Sequence, residues 1–243
     1  MSTKVYTYGT RGMIEEWSTL RKYHSCTVVS AGGVKICIDC GSPALFRHVL
    51  NADALTVSHG HPDHTLGLVD KKIEVPTFMG EFSTHMDPVP SYFKKIEFKN
   101  LKVVKRRVKV KGLTIEFVPT HHSLRCPMCA IYFPDLRLMV ATDIVAPVGG
   151  WSQWKRKIRF YVGDCSSPAA PIIRRRGGKI FGHASVVSQI KALGDKHYLF
   201  THHGRQTIEL KEREVIKRIG APIKVAKDGD VFDLDDERGF VRR

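Results

Sequence analysis

Apolar and polar positions alternate with a period of two along much of this chain. The longest example is residues 96–123, IEFKNLKVVKRRVKVKGLTIEFVPTHHS, where Val and Ile alternate with charged residues. That is the pattern of a sheet with one wet face. Shorter runs predict further strands at 4–9, 25–32, 34–41, 53–60, 73–80, 129–134, 136–143, 158–164, 197–204, 222–229 and 231–234. Gly32-Gly33, between two such runs, is a hairpin turn signal. Helical spacing is confined to 43–50, with Pro43 at its start, and to the amphipathic stretches 184–193 and 209–219. A looser segment, 144–157, holds Gly149-Gly150 and the tryptophans Trp151 and Trp154. The order is strand-rich half, helix, strand-rich half, helix. It predicts an α/β chain folded as a four-layer αβ/βα sandwich, in one domain spanning 1–243.

Composition adds one unusual number. Lys and Arg total 39 against 24 Asp and Glu, a net charge of +15. A field of that sign favours polyanions, nucleic acid or another phosphate-containing substrate in particular. No apolar run approaches the ~20 residues of a membrane span, so no membrane partner is expected. The N-terminal MSTKVYTYGTRG lacks the apolar core of a secretory signal, which points to a cytoplasmic protein. A homodimer is compatible with the sequence, which does not fix the oligomeric state. Cysteine supplies two CxxC spacings, 37–40 and 126–129. A four-thiolate zinc site is disfavoured, because residues three apart on a strand point to opposite faces.

The chemistry concentrates in SHGHPDHTLGL, residues 58–68. His59 and His61 alternate on an extended chain, so their rings point to one side. Pro62 and the turn then bring Asp63 and His64 to a second position. Imidazole and carboxylate suit Zn, Mn or Fe. One cluster is too small for two ions, so further ligands must arrive at later strand ends. They do: His121-His122 closes one predicted strand, Asp143 another, and His202-His203 a third, while GHAS at 182–185 precedes a helix.

HxHxDH followed by distal His, Asp and His resembles the metallo-β-lactamase superfamily. The later motifs, DCS at 164–166, HAS at 183–185 and TH at 201–202, resemble its ribonuclease Z and phosphodiesterase branch. The resemblance implies a dinuclear metal centre. His59, His61 and His122 would hold one ion; Asp63, His64 and His202 the other; Asp143 would bridge. His122 and His202 are taken from the doubled histidines because the family's motifs place HS after one strand and TH at the end of another. His121 and His203 are the alternatives, since neighbouring rings on a strand point opposite ways. Zinc is the favoured metal, with manganese and iron sharing these ligands.

The resemblance further implies a metal-dependent phosphodiesterase or nuclease. Asp63 would be both ligand and proton acceptor from the attacking water. His183 would be the proton donor, oriented by Asp164, and residues 169–181 would have to fold back to bring the two together. Arg174, Arg175 and Arg176 lead into GHAS and are candidates for the substrate phosphate. Trp151, Trp154 and Lys155 are candidates for stacking bases and pairing phosphates. The competing reading is hydrolysis of a small ester, lactone, thioester or cyclic nucleotide on the same metals. A non-catalytic nucleic-acid binder is disfavoured by the completeness of the ligand set.

Overall fold

A computed structural model describes residues 3–243. Two large sheets face each other. The first runs Gly239–Arg242, Asp230–Asp235, Lys4–Gly9, Cys26–Ala31, Val34–Ile38, Ala54–Val57, Thr77–Gly80 and Leu101–Val104. The second runs Ala146–Pro147, Leu113–His121, Met128–Phe133, Leu138–Ala141, Phe160–Cys165, His197–His203 and Lys224–Val225, with Arg107–Val110 also paired to Leu113–His121.

Three apolar clusters separate four layers. The central one joins the inner faces of both sheets, with Val29, Ile36 and Phe78 from the first against Ile115, Ile131 and Val162 from the second. A second cluster packs the outer face of the second sheet on Val186 and Leu193 of helix Val186–Leu193 and on Val215 of helix Glu212–Ile219. A third covers the outer face of the first sheet with Leu45, Val49 and Leu68. Strands buried on both faces, such as Ala54–Val57, Met128–Phe133 and Phe160–Cys165, require this arrangement, since each sheet must cover two apolar faces. The layering agrees with the sandwich expected from the element order.

Each sheet has a parallel portion. Val34–Ile38, Ala54–Val57, Thr77–Gly80 and Leu101–Val104 run parallel in one. Leu138–Ala141, Phe160–Cys165 and His197–His203 do so in the other. Carboxyl ends of parallel strands gather at one edge, where α/β sheets bind ligands. Asp39, Ser58-His59, Asp143, Asp164 and His202 all sit there.

Several expected elements differ. The strand expected over 34–41 stops at Ile38, because Asp39 turns the chain at φ 60°. The run 73–80 divides into Lys72–Ile73 and Thr77–Gly80, with Pro76 between them. The sequence predicts only that residues 169–181 fold back. They contain most of a two-stranded hairpin, Ile172–Arg176 paired with Lys179–His183. Its turn is Gly177-Gly178 at φ 54° and 73°, the two positive values that a two-residue hairpin turn demands.

Candidate metal centre

His59, His61, His122 and Asp143 each direct a donor atom into one group, and Asp63, His64, Asp143 and His202 do so in an adjoining one; within each group all donors lie within 4.8 Å of one another. Asp143 belongs to both. His59 Nε2 and His122 Nε2 each stand 3.0 Å from His61 Nδ1. In the second group, His202 Nε2 is 3.0 Å from Asp63 Oδ2 and 3.2 Å from Asp143 Oδ2. His64 Nε2 is 2.6 Å from Asp143 Oδ2.

These contacts leave part of the donor set unsatisfied. Asp63 Oδ1, His64 Nε2 and Asp143 Oδ2 are buried without a properly directed hydrogen bond among the described residues. Buried polar atoms are ordinarily paired. Here lone-pair donors crowd toward common centres instead. Tetrahedral ligation at ~2.0–2.1 Å would put neighbouring nitrogens at ~3.3 Å, close to the spacing around His61. The donor set therefore fits a divalent metal site.

The opposite ring nitrogens fix the tautomers. His64 Nδ1 donates to Asp39 Oδ2 at 2.7 Å. His59 Nδ1 donates to Ser58 Oγ at 2.9 Å, and that hydroxyl donates to the same Asp39 Oδ2 at 2.7 Å. Asp39 Oδ1 accepts the Ser58 backbone N–H at 2.8 Å. One carboxylate thus aims an imidazole in each group, the usual role of a partner behind a metal ligand. His122 Nδ1 donates to Gly182 O at 3.2 Å, and the Gly182 N–H donates to His122 O at 2.7 Å. His202 Nδ1 donates to Ser166 Oγ at 3.3 Å.

The doubled histidines part company. His203 turns away, its ring held by Thr207 Oγ1 at 3.1 Å and Ala226 O at 3.0 Å. His202 is reached by a bulge: Asp164 pairs with Thr201 but Cys165 pairs with His203, so His202 is the extra residue, at φ 56°. His121 lies outside both groups, while His122 joins one.

Burial and neighbouring imidazoles hold His59 well below its ordinary range. Burial pushes His122 down to about 4. Both rings therefore keep lone pairs at neutral pH. Burial raises the Asp63 carboxyl, but His64 and His202 more than reverse it and leave it ionised.

His183 closes the hairpin two residues before Ser185, whose Oγ caps helix Val186–Leu193 by accepting the Ser188 N–H at 3.1 Å. His183 Nδ1 meets Asp164 Oδ2 at 2.7 Å and Asp143 Oδ1 at 3.2 Å. Burial lowers this ring, yet the Asp164 and Asp143 carboxylates leave it above its ordinary value.

A cleft of about 630 Å³ opens over the ligands. Met13, Ile14 and Ile172 line it on apolar sides, with Arg174, Arg205 and Gln206 among its polar residues. Of the substrate-binding residues expected from sequence, only Arg174 lines the cleft. Arg175 and Arg176 are exposed on the hairpin outside it. Trp154 is 5% exposed in the second apolar cluster, 5.3 Å edge-on to Tyr132, and so is closed to a base. Trp151 packs edge-on against Tyr161, and Lys155 is exposed outside the cleft. That segment is helix packing, because its aromatics find the outer face of a sheet. All six cysteines are free and buried, and none joins a candidate metal group among the described residues.

Sequence reasoning missed Asp39, which sits in an apolar strand run. Its signal was an acidic residue at the strand's end, beside the edge where His59 emerges. Arg205 and Gln206 were also missed. Their loop is pinned by the buried Arg21 guanidinium, which donates to the carbonyls of Thr207, Ile208, Leu210 and Ala226.

Two sheets face to face, flanked by helices, with His and Asp ligands at their common edge, define the metallo-β-lactamase fold. No family model matches the sequence, and no curated relative does. Solved structures do match. A diphosphatase of the PhnP family is similar at 18% identity over 96% of this chain and 98% of its own, with a TM-score of 0.67. The metallo-β-lactamase fold protein YhfI from Bacillus subtilis is similar at 17% identity over 96% and 100%, TM-score 0.65. The short form of human tRNase Z is similar at 12% identity over 94% and 98%, TM-score 0.54. Likeness at these identities establishes the fold.

Proposed function

We propose that the protein is a metal-dependent hydrolase of phosphodiesters, RNA or DNA in particular. The observation that carries this reading is His183, held by the buried Asp164 at 2.7 Å and lining one cleft with members of both ligand groups. A carboxylate-held imidazole beside such a centre suits protonation of an alkoxide leaving group. The diphosphatase and tRNase Z among the similar folds act at phosphorus, which supports the same chemistry.

His59, His61 and His122 would hold one ion, Asp63, His64 and His202 a second, and Asp143 would serve both. The nitrogen and oxygen donors favour zinc, with manganese and iron as alternatives. When bound, such ions supply Lewis acidity toward a phosphoryl oxygen and acidify water. The residues do the rest. Asp63 Oδ1, buried and without a hydrogen bond among the described residues, is available to take a proton from the attacking water. His183, raised above its ordinary value by the Asp164 and Asp143 carboxylates, gives a proton to the departing oxygen. Asp164 holds the Nδ1 side of that ring, directing Nε2 toward the substrate. Arg174, with no ion-pair partner among the described residues, meets phosphate charge on the cleft wall.

Met13, Ile14 and Ile172 lining the same cleft favour one alternative, a small ester, lactone or thioester with an apolar group. Turnover of bis(p-nitrophenyl) phosphate, a lactone and a thioester by metal-analysed protein separates the two. Asp63→Ala or His64→Ala should cut diester turnover by orders of magnitude with the fold intact. Wild-type activity in either variant rejects the site, and turnover of the lactone or thioester alone rejects the phosphodiesterase.

A further inference from the structure

We infer that the inner face of the Ile172–His183 hairpin is a binding track for single-stranded nucleic acid, leading outward from the catalytic cleft. The inference rests on the phosphodiester reading for the identity of the cleft, but the track stands on its own geometry.

Residues directly opposite in an antiparallel pair share a face. The register is Ile172 to His183, Arg174 to Phe181, and Arg176 to Lys179. These six side chains therefore occupy one face, and the cleft-lining members Ile172, Arg174 and His183 identify it as the inner one. Ile173, Arg175 and Ile180 take the other. Two residues of strand advance ~6.6 Å, so the rungs form a strip running ~13 Å from His183 to the hairpin tip.

Each rung suits one part of a strand. His183 stands at the scissile phosphate. Phe181 is half-buried and stands directly opposite Arg174 in the strand register, a ring for stacking on the same rung as a cation for phosphate. Arg176 and Lys179 add two positive charges at the tip.

A run of cations is often just a solvated face, but three features weigh against that here. Residues 169–183 carry four cations and no carboxylate. None of the four has an ion-pair partner among the described residues. The hairpin root is bonded to a ligand-group residue, since Gly182 and His122 exchange hydrogen bonds at 2.7 and 3.2 Å. A strand lying on this face is thereby referenced to the cleft.

The test is binding, read independently of turnover. Fluorescein-labelled oligo(dT) and oligo(U) of about 12 nucleotides are titrated against the metal-loaded protein by anisotropy at several salt concentrations, beside a dinucleotide. Arg176→Gln is compared with Arg175→Gln, which removes the same charge from the opposite face. The expected result is tighter binding of the longer strand by wild type. Arg176→Gln should weaken it at least about fivefold and reduce the salt slope by about 0.7 per lost phosphate contact. Arg175→Gln should do neither, and Phe181→Leu should weaken binding without changing the slope. Equal losses in the two arginine variants, or no gain with length in wild type, overturn the track. Oligonucleotide binding without diester hydrolysis would keep the track and remove the phosphodiesterase. Hydrolysis of bis(p-nitrophenyl) phosphate without length-dependent binding would do the reverse.

Discussion

Replacing Asp39 with Asn isolates the role of the one carboxylate behind both ligand groups. The change is nearly isosteric, and Asn tolerates the φ of 60° at this position, so the backbone has no reason to move. The hydrogen bonds cannot all survive. If the amide oxygen keeps the Ser58 N–H, the amide nitrogen faces the Ser58 hydroxyl and His64 Nδ1, both of which donate to Asp39. His64 must then shift its proton to Nε2, the atom 2.6 Å from Asp143 Oδ2. That places a proton where a lone pair should meet an ion. Loss of a partner behind a ligand costs ~10–100-fold in metal affinity. Asp39 reaches His64 directly and His59 through Ser58, so the upper end is expected: ~100-fold, or about 2.8 kcal/mol. Ser58→Ala cuts only the relay to His59 and should cost ~10-fold. Equilibrium competition against a chromophoric chelator measures both, with elemental analysis for stoichiometry and metal-free melting as the control for folding. Metal affinity in Asp39→Asn within threefold of wild type would show that this carboxylate does not set the ligands.

Other expected outcomes test neighbouring parts of the site. His202→Ala should lose metal, whereas His203→Ala should keep it and lose about 1–3 kcal/mol of stability from its stranded Ala226 and Thr207 partners. Chelator titration and denaturant unfolding of the two variants separate these effects. For His183→Ala, metal content should hold while turnover of a diester with an alkyl leaving group falls ~10²–10⁴-fold; with p-nitrophenolate, which leaves without a proton, the loss should be far smaller. Equal losses on both substrates would refute the proton-donor role. Gly182→Ala would put a Cβ 1.9 Å from Ile172 O at a φ of +117°, so the hairpin root must open. Turnover should drop and proteolysis within 169–183 should quicken, with the core melting as before; an unchanged cleavage pattern would contradict this.

Ligand chemistry and strand periodicity were legible in the chain itself. The spacing of His59, His61, Asp63 and His64 needs only local backbone geometry, because alternation on an extended chain sets the direction of a ring. The apolar runs feeding each candidate ligand likewise announced strands whose ends would carry chemistry. Which histidine of each pair turns inward was not legible from periodicity; only the HS and TH motifs of the resemblance favoured His122 and His202. At His202 a bulge breaks the alternation, and a bulge depends on pairing with a strand nearly forty residues away. Asp39 was hidden because its importance comes from Ser58 and His64 arriving beside it. Trp151 and Trp154 look the same in sequence whether they face solvent or the outer layer, and only packing buries them. The hairpin was obscured because Ile172–Arg176 is exposed throughout and Lys179–His183 is at most partly buried, so no apolar alternation marks it, and its one signal was Gly177-Gly178. The chain thus specifies which groups can bind and which segments extend. The register between distant strands decides which of those groups meet, because a one-residue shift turns every side chain to the other face.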